Sequence, residues 1–532
     1  MPMRTRTAQP SRPGPLGIRM IEHLIPSSNV VKKTLCYKGV VLLLTFWSYC
    51  CYHATRKTIS IVKTTLYHNC TGLTPPPGIP PGNDTWCDWA PFDGPNANAL
   101  LGTLDSAFLF SYAFFMFISG IIAEHVNLRY FLTIGMILSG LANYFFGLAK
   151  VYNIHAFSYF VIVQIFGGIA QTTGWPGVLT VMGNWFGKRK RGVIFGVWNS
   201  HTSIGNIVGG LIASYYLTTD WSLSFIVPGI MMSLSGIVIF LFLPETPSSV
   251  GCSIATNLPR YTGINNDNNP IHGGYRKLSN TDGTSEDNSD STSGSDDDTN
   301  PIDDETTPIL QPNPDDKQAV GFFTALMIPG VLEFSLSLFF VKLVNYTFLY
   351  WLPGYIKIST SLDAQLSGDL ATVFDIGGIL GGIAAGIMTD LTGKSATTCA
   401  VMLVLSVPML FIYQAFGAVS VNMSIILLFL VGILVNGPYA LITTAVAAEL
   451  GNHECLQGNN RAMATVASII DGTGSIGAAV GPLLTGYVSV YGWEYVFYML
   501  MGSCVVAVLL LLRLLISEYK KISRPVPVIE YP

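Results

Sequence analysis

The chain has 532 residues, half of them hydrophobic and only 11% charged, with a mean hydropathy of +0.46. A soluble domain carries about twice that charged fraction, so the composition describes a polytopic membrane protein and excludes a soluble globular one. The net charge of −4 hides no basic tract and the nine cysteines form no C-x2-C pair, so nothing points to nucleic acid, a metal or a cofactor.

Residues 1–34, within an N-terminal tail of 1–38, have no apolar core of the signal-peptide kind. They are rich in Arg and Pro with no acid before Glu22, and are read as a cytosolic tail in preference to a plastid transit peptide. Twelve apolar runs follow, near 39–62, 99–123, 130–149, 157–183, 192–217, 222–243, 329–352, 366–389, 396–416, 423–448, 462–487 and 494–516. Each approaches the roughly 20 residues that a helix needs to cross a bilayer. The loop at 64–98 carries sequons at Asn69 and Asn83 and the cysteines Cys70 and Cys87. It is therefore expected on the lumenal or extracellular side, with glycosylation and a disulfide as its marks. Residues 246–320 are polar and contain the acidic runs Asp296–Asp298 and Asp303–Glu305. That composition cannot bury a core and predicts a disordered linker. It divides the runs into a bundle at 39–245 and a second at 321–516, with a tail at 517–532.

Lys and Arg in the short loops set orientation. Lys32, Lys33, Arg129, Lys188–Arg191, Lys394, Arg461, Lys520 and Lys521 fall on one side of the count, which is expected to be cytosolic together with both termini and the linker.

The first run ends in YCCYHATRK at 49–57, where Arg56 and Lys57 stand inside an apolar segment. A cation there costs roughly 3 kcal/mol on insertion scales. An anion that comes and goes would offset the cost; snorkelling to the surface is the alternative. Tyr49 and Tyr52 share a helical face with Arg56, and His53 flanks it. A guanidinium beside phenols suits phosphate.

The two halves echo each other. Gly120, Glu124 and Arg129 follow the second run; Gly386, Asp390 and Lys394 follow the eighth. Arg191 precedes His201 by ten residues, and Arg461 precedes Asp471 by ten. Each of these two helices is rich in small residues, which lets membrane backbones pack closely. Duplication of a six-span unit accounts for both.

Twelve spans, a central linker and a G-x3-D/E motif after spans two and eight resemble the major facilitator superfamily. YHATRKTISIVK at 52–63, GWPGVLTVMGNWFGKRKRG at 174–192, GVWNSHTSIGNIVGG at 196–210, KLVNYTFLYWLPGYI at 342–356, VNGPYALITTAVAAELG at 435–451 and IIDGTGSIGAAVGPLLTGY at 469–487 are similar to the eukaryotic sugar-phosphate exchanger family. Its plant glycerol-3-phosphate permease branch looks nearest. The resemblance implies an all-α fold of two pseudo-symmetric six-helix bundles. It also implies exchange of an organic phosphate, such as glycerol-3-phosphate or glucose-6-phosphate, for inorganic phosphate by alternating access. The family's first phosphate-binding cation falls on Arg56, with Tyr49 and Lys57. The second falls on Asn345, six residues before Trp351, with Lys342 one turn earlier as the substitute. Lys342 could instead pair with Asp375 or Glu333. His201 matches a histidine thought to line the substrate path. Tyr346, Asn436 and Tyr439 are candidates for the rest of the substrate. Glu124, Arg129, Asp390, Lys394, Asp375 and Asp471 are read as gating or structural, Asp471 as a balance to cavity charge or a cap on a Gly-rich bend. In the empty carrier Arg56 and a lysine are expected to face each other, so that only an anion lets the carrier turn over.

Two other functions fit the residues. One is a proton-coupled symporter of a sugar or other solute, using Asp105, Asp375 or Asp471. The other is a receptor or regulator that does not transport. A non-enzymatic monomer or weak dimer is expected, in the endoplasmic reticulum or plasma membrane ahead of a plastid.

Overall fold

The computed structural model describes residues 14–21, 30–66, 89–93, 97–186, 191–217, 219–252, 321–360, 362–451 and 462–522. Asn69, Asn83, Cys70, Cys87, the acidic runs of the linker, Lys188–Lys190 and Arg461 lie outside the described residues. By compactness the chain divides into a unit of 1–252 with 319–532 and a second unit of 253–318, and the described residues all belong to the first.

Helices account for the secondary structure of the described residues, with no strand among them. In chain order they are α1 Leu16–Ile21, α2 Val30–Leu66, α3 Ala97–His125, α4 Leu128–Val151, α5 Phe157–Gln171, α6 Gly174–Trp185, α7 Arg191–Trp198, α8 Ser200–Leu217 and α9 Trp221–Phe242. The second half holds α10 Phe322–Leu326, α11 Val331–Thr360, α12 Ala364–Thr392, α13 Ser395–Phe416, α14 Val421–Leu441, α15 Ala447–Leu450, α16 Ala462–Val488 and α17 Trp493–Ile522. Short polar residues start several of them by accepting from free backbone N–H groups. Asn127 opens α4, Asp220 opens α9, Asp363 opens α12 and Ser420 opens α14 in this way. The described chain continues past 245 through a 3-10 turn at Pro247–Val250 to the buried Cys252, so the first half runs seven residues beyond its expected end.

Among the described residues, ten helices are long and apolar enough to cross a membrane. The fourth and fifth apolar runs are each broken into two shorter helices. The fourth breaks at Thr172–Thr173, just before Trp175-Pro176, where proline cannot continue the ladder upstream. The fifth breaks at Asn199. The tenth run carries Pro438 and then one π-helical stretch at Ile442–Val446 before α15. Bends of this kind free backbone groups, which is tolerated in a membrane protein where they are buried against neighbours.

The packing repeats between the halves. Helix α2 lies on α8 as α11 lies on α16, and α4 lies on α9 as α13 lies on α17. The halves meet where α3 packs on α16 and α8 on α12. Glycine permits the closest of these approaches: a Cβ on Gly209 would strike the Ala54 backbone of α2, and one on Gly477 would strike the Phe339 backbone of α11. The exposed hydrophobic side chains lie along the outer helices, as expected for a surface solvated by lipid.

Candidate functional site

Seven charged side chains are buried among the described residues: Arg56, Lys57, Lys63, Lys342, Asp105, Asp375 and Asp471. Four are cations and three are carboxylates, so one positive charge is left over. The geometry says which one. Lys63 is paired with Asp105, on α3 of the same half. Lys342 is paired with Asp471 at 2.6 Å. Lys57 donates to the Leu349 carbonyl at 3.1 Å and stands within electrostatic reach of Asp375. Arg56 has no carboxylate partner among the described residues.

Its partners are neutral. Arg56 Nε donates to Gln171 Oε1 at 2.6 Å, and Nη1 donates to the Tyr346 hydroxyl at 3.3 Å. The guanidinium stands 4.6 Å from the ring centre of Tyr112. Nη2 is buried without a partner. A buried cation lacking a counterion costs several kcal/mol.

The compartment beside Arg56 is lined by Tyr49, Tyr112, Trp175, Lys342, Tyr346, Tyr439, Thr443 and Asp471, whose side chains close on one another and leave only gaps too narrow for a water. The Trp175 indole N–H is a second unpartnered donor in that lining. Both halves contribute: α2, α3 and α6 from the first, α11, α14 and α16 from the second. Unpartnered donors, phenols and a planar guanidinium are the group types that suit an oxyanion.

The other expected site residues are distributed around this compartment. Tyr49 lines it, but Tyr52 turns its hydroxyl to Thr173 at 3.3 Å. Lys57 does not line it. His53 meets Asn206 at 3.2 Å, and Asn206 donates to Asp375 at 2.8 Å, which carries the contact from α2 through α8 to α12. His201 sits behind Tyr49, with ring centres 4.7 Å apart, and 4.5 Å from Trp198. Asn345 bonds to Asn436 across α11 and α14. Tyr346 and Tyr439 line the compartment.

The partner of Lys342 corrects the sequence reading. Glu333 is taken by Arg513 at 2.7 Å, and Asp375 by Asn206. Asp471 holds Lys342, and its other oxygen accepts from the Tyr112 hydroxyl at 3.1 Å. It balances a charge in the cavity and does not serve as a bend cap. Two unpaired cations therefore do not face each other in this state.

The carboxylates Glu124 and Asp390 also reach further than the loop cations beside which they stand in sequence. Glu124, at the end of α3, accepts from the backbone N–H of Thr465 at 3.2 Å and from its hydroxyl, at the start of α16. Asp390, at the end of α12, accepts from the Val193 backbone N–H at 2.8 Å, at the start of α7. Each ties one half to the opposite half at a helix N-terminus, where a negative charge is favoured. Arg129 lies over the neighbouring Tyr130 ring at 5.2 Å, and Lys394 immediately precedes α13.

Tyr112, Gln171 and Thr443 were not among the sequence candidates. Tyr112 is one helical face from Asp105, seven residues on, and Gln171 is an amide in an otherwise apolar run. Those two signals were available.

The Major Facilitator Superfamily model matches residues 45–454, with a second match at 334–531. The glucose-6-phosphate exchanger SLC37A2 of Xenopus tropicalis is 51% identical over 490 residues, covering 92% of this chain and 95% of the relative. Human glucose-6-phosphate exchanger SLC37A2 is 50% identical, covering 91% and 93%. Human glucose-6-phosphate exchanger SLC37A1 is 46% identical, covering 92% and 94%.

Proposed function

This chain belongs to the sugar-phosphate exchanger family of the major facilitator superfamily, and we propose that it exchanges a hexose phosphate, glucose-6-phosphate in the first instance, for inorganic phosphate across a membrane. The observation that carries the reading is Arg56: buried, held by neutral groups, with one nitrogen unpartnered at a closed compartment between the halves. The phosphoryl group is common to both cargoes and is the part that Arg56 recognises. Tyr49, Tyr346 and Trp175 supply further donors, and the Asn345–Asn436 pair lies nearby for the remainder of the substrate.

Exchange follows from the charge balance. Moving the empty site through a state closed to water leaves one cation uncompensated, at a cost of several kcal/mol. A bound phosphate removes that cost. The return step needs a second anion, so net flux of one substrate alone is slow. The two halves rock about the compartment while the Glu124–Thr465 and Asp390–Val193 contacts break at one end. The Lys and Arg distribution supports a cytosolic location for that end, both termini and the linker, with the protein acting as a monomer or weak dimer in the endoplasmic reticulum or plasma membrane. No covalent bond is made or broken.

A proton-coupled symporter would rest on Asp105, Asp375 or Asp471 as proton carriers. The relatives at 46–51% identity are named as glucose-6-phosphate exchangers, which favours phosphate exchange over that reading. The test is counterflow in proteoliposomes holding the full chain. Radiolabelled phosphate outside should enter only against internal phosphate or glucose-6-phosphate, and Arg56→Gln should abolish entry. Uptake that needs a proton gradient and ignores internal phosphate would reject the proposal.

A further inference from the structure

Resting on the phosphate reading above, we propose that Asp471 fixes the charge of the cargo at one negative unit per crossing. The compartment is lined by two cations and one carboxylate: Arg56, Lys342 and Asp471. Its net charge is +1. The other buried charges are two cations and two carboxylates, Lys63 with its partner Asp105, and Lys57 and Asp375.

The carboxylate is placed to compete with the cargo. Asp471 Oδ1 takes Lys342 at 2.6 Å, and Ser475 accepts from the same ammonium at 3.1 Å. Asp471 Oδ2 takes the Tyr112 hydroxyl at 3.1 Å, beneath the Arg56 guanidinium. Both carboxylate oxygens are therefore occupied by groups that a phosphate would also seek. Among the described residues, the titratable and charged groups facing Asp471 are Lys342 and Tyr346 from α11, Tyr112 from α3, Tyr49 and Arg56 from α2, and Tyr439 from α14.

A dianion entering a site of charge +1 would leave one negative charge buried. Two balanced routes avoid it. The substrate enters as the monoanion and keeps its own proton. Otherwise the dianion enters with one proton from water, which ends on Asp471, while Lys342 transfers from Oδ1 to a phosphate oxygen. In both routes the site gains one negative charge. Phosphomonoesters lose their second proton at about pH 6, so the distinction is felt in the physiological range.

The experiment is homoexchange of radiolabelled inorganic phosphate in proteoliposomes of the full chain, at subsaturating phosphate and equal pH on both sides, from pH 6 to 8. The wild-type rate should fall severalfold from pH 6 to pH 8 as the monoanion is depleted. Asp471→Asn raises the site to +2, so its rate should be equal or higher at pH 8 than at pH 6, with a lower KM for phosphate at pH 8. Lys342→Gln with Asp471→Asn restores +1 and should restore the falling profile. A wild-type rate that rises with pH overturns the proposal whether or not the variants fold. So does an Asp471→Asn profile parallel to wild type. Absence of any phosphate exchange by the wild type would instead reject the transport reading itself, which keeps the two failures apart.

Discussion

Arg56 gives its Nε hydrogen to the side-chain carbonyl of Gln171 at 2.6 Å, and the Gln171 amide donates in turn to Thr55 at 3.1 Å. An amide stands where a structural arginine would have a carboxylate. The guanidinium is oriented without being neutralised, which is what a transient counterion requires.

Changing that one atom's charge tests the arrangement. Gln171→Glu keeps the shape of the side chain and gives Arg56 a permanent anionic neighbour. Two opposite charges about 4 Å apart attract by about 4 kcal/mol at an effective dielectric of 20, which is roughly a thousandfold in affinity. The folded protein should persist while phosphate exchange falls by at least a hundredfold. Counterflow at matched protein density reads the loss; exchange within threefold of wild type would mean that Arg56 does not carry the anion.

The two crossed carboxylates should govern how readily the compartment opens at their end. Glu124→Gln keeps a hydrogen-bonding group but removes the charge that assists the bonds from Thr465. A hydrogen bond to a charged group contributes about 1.5–3 kcal/mol, so the closed state should be depleted about tenfold or more. A cysteine replacing Thr443, in the compartment lining, reports opening through its rate of reaction with a water-soluble thiol reagent. That rate should rise about tenfold in Glu124→Gln and in Asp390→Asn. Unchanged reactivity in both would remove the gating role.

Much of the fold was legible because bilayers demand long apolar runs, and twelve such runs are evident in the chain. The break at Thr172–Thr173 was marked by the kink signal Trp175-Pro176, whereas the break at Asn199 was not, since hydropathy averages across it. Arg56 was legible for the same reason that it matters: a charge in an apolar helix needs an explanation. The partner of Lys342 was not, because pairing depends on which face α16 turns toward α11. The offset between His201 and Asp471 pointed to two corresponding positions. It could not show that one packs behind an aromatic ring while the other carries a salt bridge. Likewise Glu124 and Asp390 looked local beside Arg129 and Lys394, and their reach to the opposite half is a property of tertiary packing.

Close backbone approach predicts which glycines can be replaced. Gly209→Ala and Gly477→Ala would each drive a methyl group into the backbone of the neighbouring helix, Ala54 or Phe339. Overpacking of this kind costs about 1–3 kcal/mol or more when the obstacle is main chain. Gly354, inside α11, has nothing within 4 Å of a Cβ position, so Gly354→Ala should stabilise by roughly 0.5–1 kcal/mol through helix propensity. Unfolding midpoints in detergent should fall for the first two and rise slightly for the third. The reverse order would contradict the helix contacts described here.

Lys63 and Asp105 form a buried pair away from the Arg56 compartment, and the ammonium also faces the rings of Tyr350 at 5.3 Å and Trp351 at 5.2 Å on α11. The pair joins α2 to α3, while the ring contacts join the two halves. Removing one partner leaves the other charge uncompensated, which costs about 3–5 kcal/mol, whereas replacing both by apolar groups of similar size is often neutral. Asp105→Ala should therefore lower the unfolding midpoint sharply, and Lys63→Met with Asp105→Leu should recover most of the loss. The double variant also deletes the cation held between the halves by Tyr350 and Trp351. It should fold normally yet exchange phosphate at an altered rate, because the contact that must break when the halves separate is gone. Recovery of stability with an unchanged exchange rate would assign the pair to architecture alone.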